Sequence, residues 1–462
     1  MPTYTTLPLL ILILVLWRLT RGNILAIIVF TAIFSAASAL NFGNFGVSPW
    51  LMAMALCLPW KLLQGGVRWC VERGINRLAV SLVFCFMAYA ALSGFVLPVV
   101  FQGVQVLRID SLVPLSFGMA NVAQICYLAA AAVVFVLTIT STTEELEVVM
   151  HWYVIACIVA AAIAMYQLAN AVFHVPYPTL FFDSSPGHVI YPAYKIGGLW
   201  RLNSTFTEAS DMVSYLIPGL GCLTWELMVR PLRLWRVVSA GLILVAIFMS
   251  LSTTGYVCLG LLFVVAGVAF VWRTIVARSV RGSTVVVALV VLLAGSFLFT
   301  LSSAARNSVM SVSSMVVLDK KQSESYRMRT ESHVVALRTL EETDYMGAGW
   351  GSMRASGTVY TLLASVGVFG LILFTAASIS VFLPLFSGGR GSRSNGDLLG
   401  RSLFPAFLLL AALVISGTEP DTPMVWLLFG IAIVAAAPLE DRRGALPWRA
   451  AQGQQVLRNG AA

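Results

Sequence analysis

The chain has 462 residues, of which 59% are apolar and only 11% charged, with a formal net charge of +9 and a mean hydropathy of +0.89. A soluble domain carries about 25% charged residues, so the expected class is an all-α polytopic membrane protein. The excess of Lys and Arg falls mostly in short loops, where membrane orientation requires it, and this argues against nucleic acid as a partner. The seven cysteines form no C-x-x-C pair and have no histidine at ligand spacing. Neither a disulfide framework nor a zinc site is therefore expected, and no metal is assigned.

A spanning helix needs about 20 mostly apolar residues, and this rule selects about 12–13 transmembrane helices. The candidates lie near 4–17, 24–40, 47–63, 78–101, 120–140, 149–171, 209–228, 237–252, 254–272, 284–302, 358–386, 403–417 and 424–438. No Lys or Arg precedes the first apolar run, while Arg18 and Arg21 follow it, so the start reads as a span rather than a signal peptide. The chain divides into an N-terminal transmembrane bundle (1–171), a first long loop (172–208), a second bundle (209–302), a second long loop (303–357), C-terminal transmembrane helices (358–438) and a polar tail (439–462).

One set of alternate short loops carries the basic residues: Arg18 and Arg21; Lys61, Arg68, Arg73 and Arg77; Arg230, Arg233 and Arg236; Arg273, Arg278 and Arg281; Arg390, Arg393 and Arg401. The positive-inside rule makes that side cytoplasmic, with the C-terminus. The acidic stretch Glu144, Glu145 and Glu147 breaks the pattern, but carboxylates carry little topological weight. Four candidate spans separate the two long loops, an even number, so both are expected on the outer side.

In the first long loop, Pro176, Pro178, Pro186 and Pro192 forbid a long regular helix. Its dense aromatics, Trp200 among them, read either as interfacial anchors or as a stacking wall for sugar rings. The pair Gly197-Gly198 permits close backbone approach. Arg201 and Glu208 follow, then a helix start near Ser210 with Ser210 or Asp211 as N-cap. An arginine there can grip phosphate or snorkel to the interface. Glu208 can act as a base or simply stabilise the helix start.

The second long loop has seven basic and six acidic residues. From about 323 to 340 it lacks Gly and Pro, and Val334, Leu337 and Leu340 recur on one helical stripe. The segment is too charged to cross a bilayer, so a membrane-surface helix is expected. Arg327 and Glu331 stand at i, i+4, the spacing of a surface ion pair, and Arg338 lies three turns on from Arg327 on nearly the same face. His333 reads as structural or solvated. Gly347, Gly349 and Gly351 read as a tight turn into the next span, and no Gly-Lys-Ser/Thr follows to make a phosphate loop. Ser387–Gly400 reads as a flexible linker.

Four stretches, in this order, resemble the superfamily of O-antigen ligases and Wzy-type polymerases. RLNSTFTEASDMVSYL resembles the family's Arg, Ser-Thr-Phe and Glu-Pro-Ser pattern, with Ala209 where Pro is usual. LSTTGYVCLGL resembles the Ser-rich start of a later span, RTESHVVALRTLEETDYMGAGWGS an Arg followed by Gly-x-Gly, and LLASVGVFGLILF the next glycine-marked span. The match covers roughly 197–375. In that register Arg329 is the family's arginine and Gly347 and Gly349 are its glycines. Ligases place His-Asn where this chain has Ser356-Gly357, and a Glu at position 208 is more typical of polymerases.

The resemblance implies a metal-independent glycosyltransferase of the bacterial inner membrane with no cofactor. Its donor would be an undecaprenyl-pyrophosphate-linked oligosaccharide, and its acceptor a lipid-linked repeat unit at the periplasmic face. Arg201 and Arg329 would hold the pyrophosphate, Arg327 and Arg338 would support them, and Glu208 would be the base. A flippase and a chain-length regulator are the expected protein partners. The alternatives are an O-antigen ligase acting on lipid A core and, in another class, a transporter or flippase. A transporter should carry charge at mid-membrane depth, and these span interiors are mostly bare of it.

Overall fold

The computed structural model describes residues 2–43, 45–63, 75–108, 111–186, 194–196, 199–277, 324–386, 396–416, 420 and 422–437. The candidate span 284–302, the first part of the second long loop, Gly197-Gly198, most of the Ser387–Gly400 linker and the tail lie outside them. Within them the chain is mostly helical. In order it forms α1 (Thr6–Leu19), α2 (Ile24–Thr31), the hairpin β1 (Leu40–Phe42) and β2 (Phe45–Val47), α3 (Pro49–Leu63) and α4 (Arg77–Val100). The hairpin β3 (Gln105–Arg108) and β4 (Ser111–Pro114) follows, then α5 (Met119–Ile139), α6 (Thr143–Phe173) and a single turn α7 (Thr179–Phe182). A third hairpin, β5 (Tyr194–Ile196) and β6 (Leu199–Arg201), leads to α8 (Ala209–Val229), α9 (Leu234–Met249) and α10 (Thr253–Ala277). The chain continues with α11 (Glu324–Glu342), α12 (Thr358–Phe386), α13 (Gly396–Ser416) and α14 (Pro423–Ala435).

Among the described residues, five helices are long and apolar enough to cross a membrane: α4, α5, α6, α8 and the stretch Thr358–Leu383 of α12. Shorter apolar helices, α1, α3, α9 and α14 among them, accompany these. Caps mark several starts: Asn23 Oδ1 accepts from the Ala26 amide, Asn76 Oδ1 from the Ala79 amide, and Thr142 and Glu145 form a reciprocal capping box.

The second sequence candidate, 24–40, is not one helix. α2 stops after eight residues, all of them buried. The next residues turn irregularly through the interior because side chains and backbone elsewhere satisfy them. The Ala36 amide donates to the Thr205 carbonyl, Thr205 Oγ1 donates to the Ile33 carbonyl at 2.5 Å, and the Ser38 amide donates to Ser184 Oγ. Irregular backbone at membrane depth survives only where protein supplies such partners.

α8 is the central helix, buried along most of its length and packed against α6, α9, α10 and α13. α14 is apolar all round and wholly buried, as a helix with no polar face must be. Its Trp426 ring lies 5.9 Å from Phe86 of α4.

α11 lies on the start of α12 and on β3. Its buried face differs from the expected stripe: Val334 is 62% and Leu337 42% exposed, while Leu340 is 6% exposed. The packed positions are Ser332, Ala336, Thr339, Leu340 and Thr343. These are mostly small, and small residues let helix backbones approach closely.

Beyond α11 the glycine segment is no surface turn. Gly347, Gly349 and Gly351 all have positive φ, and residues 347–350 are buried. The Ala348 and Gly349 amides donate to the Ala364 and Ser365 carbonyls, and the Val368 amide donates to the Tyr345 carbonyl. These are the bonds that α12 forgoes where it breaks at Gly367, whose φ is 67° and ψ −169°. Asn121 of α5 holds the other side, donating to the Trp350 carbonyl at 3.0 Å and to Ser352 Oγ at 2.7 Å.

At the far end of α8 from the long loops, Glu226 bridges Arg236 of α9 at 3.1 Å and Arg401 of α13 at 2.8 Å. All three side chains are buried. Removing one partner of such a group strands charge in the interior, so Glu226→Gln is expected to lower stability by about 3–5 kcal/mol. Thermal unfolding in detergent should read this as a lower Tm, partly restored by adding Arg236→Met.

Candidate functional site

The polar end of the bundle is built around the start of α8. The segment before it is pinned by Gln167 of α6. The Gln167 Oε1 accepts from the Asn203 and Ser204 amides, and its Nε2 donates to Asn203 Oδ1 at 2.7 Å. Ser204, at φ 54°, donates through its hydroxyl to the Ala160 carbonyl. The Leu202 amide donates to the Met249 carbonyl at the end of α9. Arg201 and Glu208 therefore flank a segment with little freedom to move.

Arg201 is half-buried at the end of β6, its Cα paired in register with Tyr194. Trp200 pairs with Lys195, whose ammonium lies 4.8 Å from the ring centroid, a cation–π contact within one hairpin.

The N-cap of α8 is Glu208 itself rather than Ser210 or Asp211, and it makes no side-chain cap. Its backbone carbonyl accepts from the Asp211 and Met212 amides. The expected capping residues are engaged otherwise: Ser210 Oγ donates to Glu208 Oε2 at 2.9 Å, and Thr207 Oγ1 donates to Asp211 Oδ2 at 2.6 Å. Two carboxylates thus sit at one helix start, close enough to act on one another, and Arg354 from the second long loop lies within electrostatic reach of Asp211.

Arg354 is exposed on a segment held by α11 and α12. The Ser356 amide donates to Ser332 Oγ at 3.1 Å, and the Ser356 carbonyl is bonded to His333 Nε2. The His333 ring stacks on Tyr360 at 3.8 Å. A carbonyl can only accept, so Nε2 carries the hydrogen, and in the neutral ring Nδ1 is left as a proton acceptor. Arg329 lies one helical turn before His333, half-buried, and its guanidinium makes no hydrogen bond or ion pair among the described residues.

The sequence candidates separate into groups. Glu208 stands close to Asp211, and Arg354 lies within electrostatic reach of Asp211. Arg201 and Arg329 stand on two other elements, β6 and α11. Arg327 and Arg338 are exposed and ion-paired along their own helix, to Glu331 at 3.7 Å and Glu342 at 2.7 Å. Gly347 and Gly349 are buried with their amides already donating, to Thr343 Oγ1 and to the Ser365 carbonyl, so neither presents an N–H to a ligand. The sequence marks Asp211 only as a candidate N-cap and His333 as structural or solvated, and it does not single out Arg354. The available signal was that Arg354 closes the second loop just as Glu208 closes the first.

The first loop also carries a perturbed carboxyl. Asp183, just after α7, is half-buried, and burial pushes its pKa up to about 6. Among known proteins, the chain matches no family model and no curated relative.

A pH effect follows from Asp183. Its ordinary value is 3.8, so between about pH 4 and 6 the unfolded chain releases this proton while the folded one keeps it, and folding loses stability as pH rises. Asp183→Asn removes that loss. The variant is expected to melt higher than the wild type above pH 6 and together with it near pH 3.5, measured by thermal scans in detergent across that range.

Proposed function

We propose that the protein is a glycosyltransferase acting on a polyprenyl-pyrophosphate-linked glycan at the loop end of the bundle, and specifically a polysaccharide polymerase. The observation that carries this reading is that Arg354, near the end of the second long loop, lies within electrostatic reach of Asp211, which stands close to Glu208 at the start of α8. A fixed carboxylate beside a guanidinium suits a transfer in which an acceptor hydroxyl attacks an anomeric carbon. The hydroxyl proton passes to Glu208 or Asp211, a new C–O bond forms, and the C–O bond to pyrophosphate breaks with its electron pair leaving on phosphate. Arg201, Arg329 and Arg354 take the role of stabilising that leaving charge. The polymerase choice rests on the resemblance of the 201–216 segment, in which Glu208 occupies the polymerase-type position. In this reading the loop end faces the periplasm of a bacterial inner membrane, and the chain works beside a flippase and a chain-length regulator.

One observation favours a second reading, the ligase. His333 of α11 is bonded to the Ser356 carbonyl, so an imidazole stands in space beside the positions where ligases carry their histidine in the loop itself. With Nε2 donating to that carbonyl, Nδ1 of the neutral ring is the nitrogen that can accept a proton.

The test is polymer output in cells lacking the native protein, with Arg354→Ala, Arg201→Ala, Glu208→Gln and His333→Ala compared at matched membrane expression. Loss of one charge-stabilising donor is expected to cut transfer by about 100-fold. A single lipid-linked repeat unit should then accumulate. Long lipid-linked chains left untransferred, most severely in His333→Ala, would establish the ligase instead. Wild-type polymer from stably expressed Arg354→Ala and Arg201→Ala would overturn the site.

A further inference from the structure

The end of α8 away from the long loops opens on a cavity of about 560 Å³. Its lining brings together the ends of five helices: α1, α6, α8, α9 and α13. One wall is basic, with Arg230 and Arg233 in front of the buried Arg236 and Arg401. Behind them Glu226 offers one carboxylate to two guanidiniums. α6 adds Glu144, Glu147 and His151 to the lining, recurring at helical spacing. Counting Arg21, the lining holds five arginines and three glutamates, a formal balance of +2. α9 also begins at this wall, with Arg233 as its N-cap and no side-chain cap, so the positive end of its dipole adds to the field.

Exposed apolar side chains belong to the same lining or adjoin it in sequence. Leu19 and Trp235 of the lining are 60% and 39% exposed, and Leu234, next to Trp235 in sequence, is 79% exposed. Buried charged groups sharing a cavity with exposed Leu and Trp suit an amphiphile at a membrane interface, its polar group on the charges and its chains along the apolar side chains. Arginine forks match phosphate oxygens, and a partly buried site keeps such contacts strong.

We propose that this cavity binds a phosphate-bearing group on the arginine wall, either the headgroup of a phospholipid or a soluble phosphate compound. The inference is independent of the transfer chemistry at the other end. The cavity was not visible in the sequence, where its arginines looked like separate loop charges.

The test uses the full chain. Phosphatidylglycerol is titrated into phosphatidylcholine nanodiscs holding the protein, and inorganic pyrophosphate into the protein in detergent, with Tm and lipid retention in native mass spectrometry as readouts. The wild type should show a saturable rise in Tm. In Arg230→Gln/Arg233→Gln the midpoint should rise about tenfold or more, as expected for loss of charge-assisted bonds. Glu144→Gln/Glu147→Gln should bind more tightly. Arg77→Gln, exposed at the start of α4 and outside the cavity, should titrate as the wild type. A response to the lipid alone assigns the source as a headgroup, and a response to pyrophosphate as well assigns it to phosphate in any form. No saturable response to either probe, or unchanged midpoints in both double variants, would overturn the proposal.

Discussion

Glu226, held between Arg236 and Arg401, fixes how three of the helices can pack. A carboxylate and two guanidiniums lose several kcal/mol of hydration each when buried, and only close mutual contact offsets that. The contact must therefore form in every folded molecule, and it joins the end of α8 to the start of α9 and to α13. Apolar packing alone would leave helices free to slide or rotate, because lipid tails are as apolar as leucine. An ion triad does not tolerate a slide of one residue. The same arginines look in the sequence like ordinary loop charges setting orientation. Their burial becomes apparent only when α8, α9 and α13 are seen to converge.

The second constraint is that irregular backbone inside the bundle must find hydrogen-bond partners in protein. The chain meets it twice by the same device, a polar segment answering a break. The residues after α2 take their bonds from Thr205 and Ser184 of the first loop. The break in α12 at Gly367 takes its bonds from 345–349 of the second loop. Gly349 also needs its lack of a side chain, since a Cβ there would sit 2.6 Å from Pro98 Cδ. Both long polar segments thus have structural work inside the bundle besides whatever chemistry their ends perform.

Much of the helical framework was legible because long apolar runs such as 77–100 and 143–173 have few alternatives to a buried helix. That α11 is a helix was legible from its lack of Gly and Pro, and so was the i, i+4 pairing of Arg327. Its packed face was not. Hydrophobicity pointed to Val334 and Leu337, whereas close approach selected Ser332, Ala336 and Thr339, a choice that depends on the shape of β3 and α12. The length of α2 was also hidden, since 24–40 stays apolar after the helix stops and only the distant Thr205 explains the stop. At the candidate site, Glu208 and Arg201 could be picked out because they stand just before a helix start. Arg354 and His333 could not, because their relevance depends on where Ser356 is clamped.

These features meet in α8. It has 21 residues, about 30 Å at 1.5 Å per residue, which matches the hydrocarbon thickness of a bilayer. Glu208 and Asp211 sit at its start, and Glu226 lies close to its end. A helix buried on nearly all sides and tied by an ion triad at one end cannot easily tilt at the other. The carboxylates at its first turn are therefore held on a rigid element, with Gln167 fixing the approach to it. Transfer chemistry gains from groups that need no reorganisation when charge develops. In the proposed reading the triad fixes one end of α8, and the close packing around Pro218 and along the rest of the helix holds the carboxylates at the other.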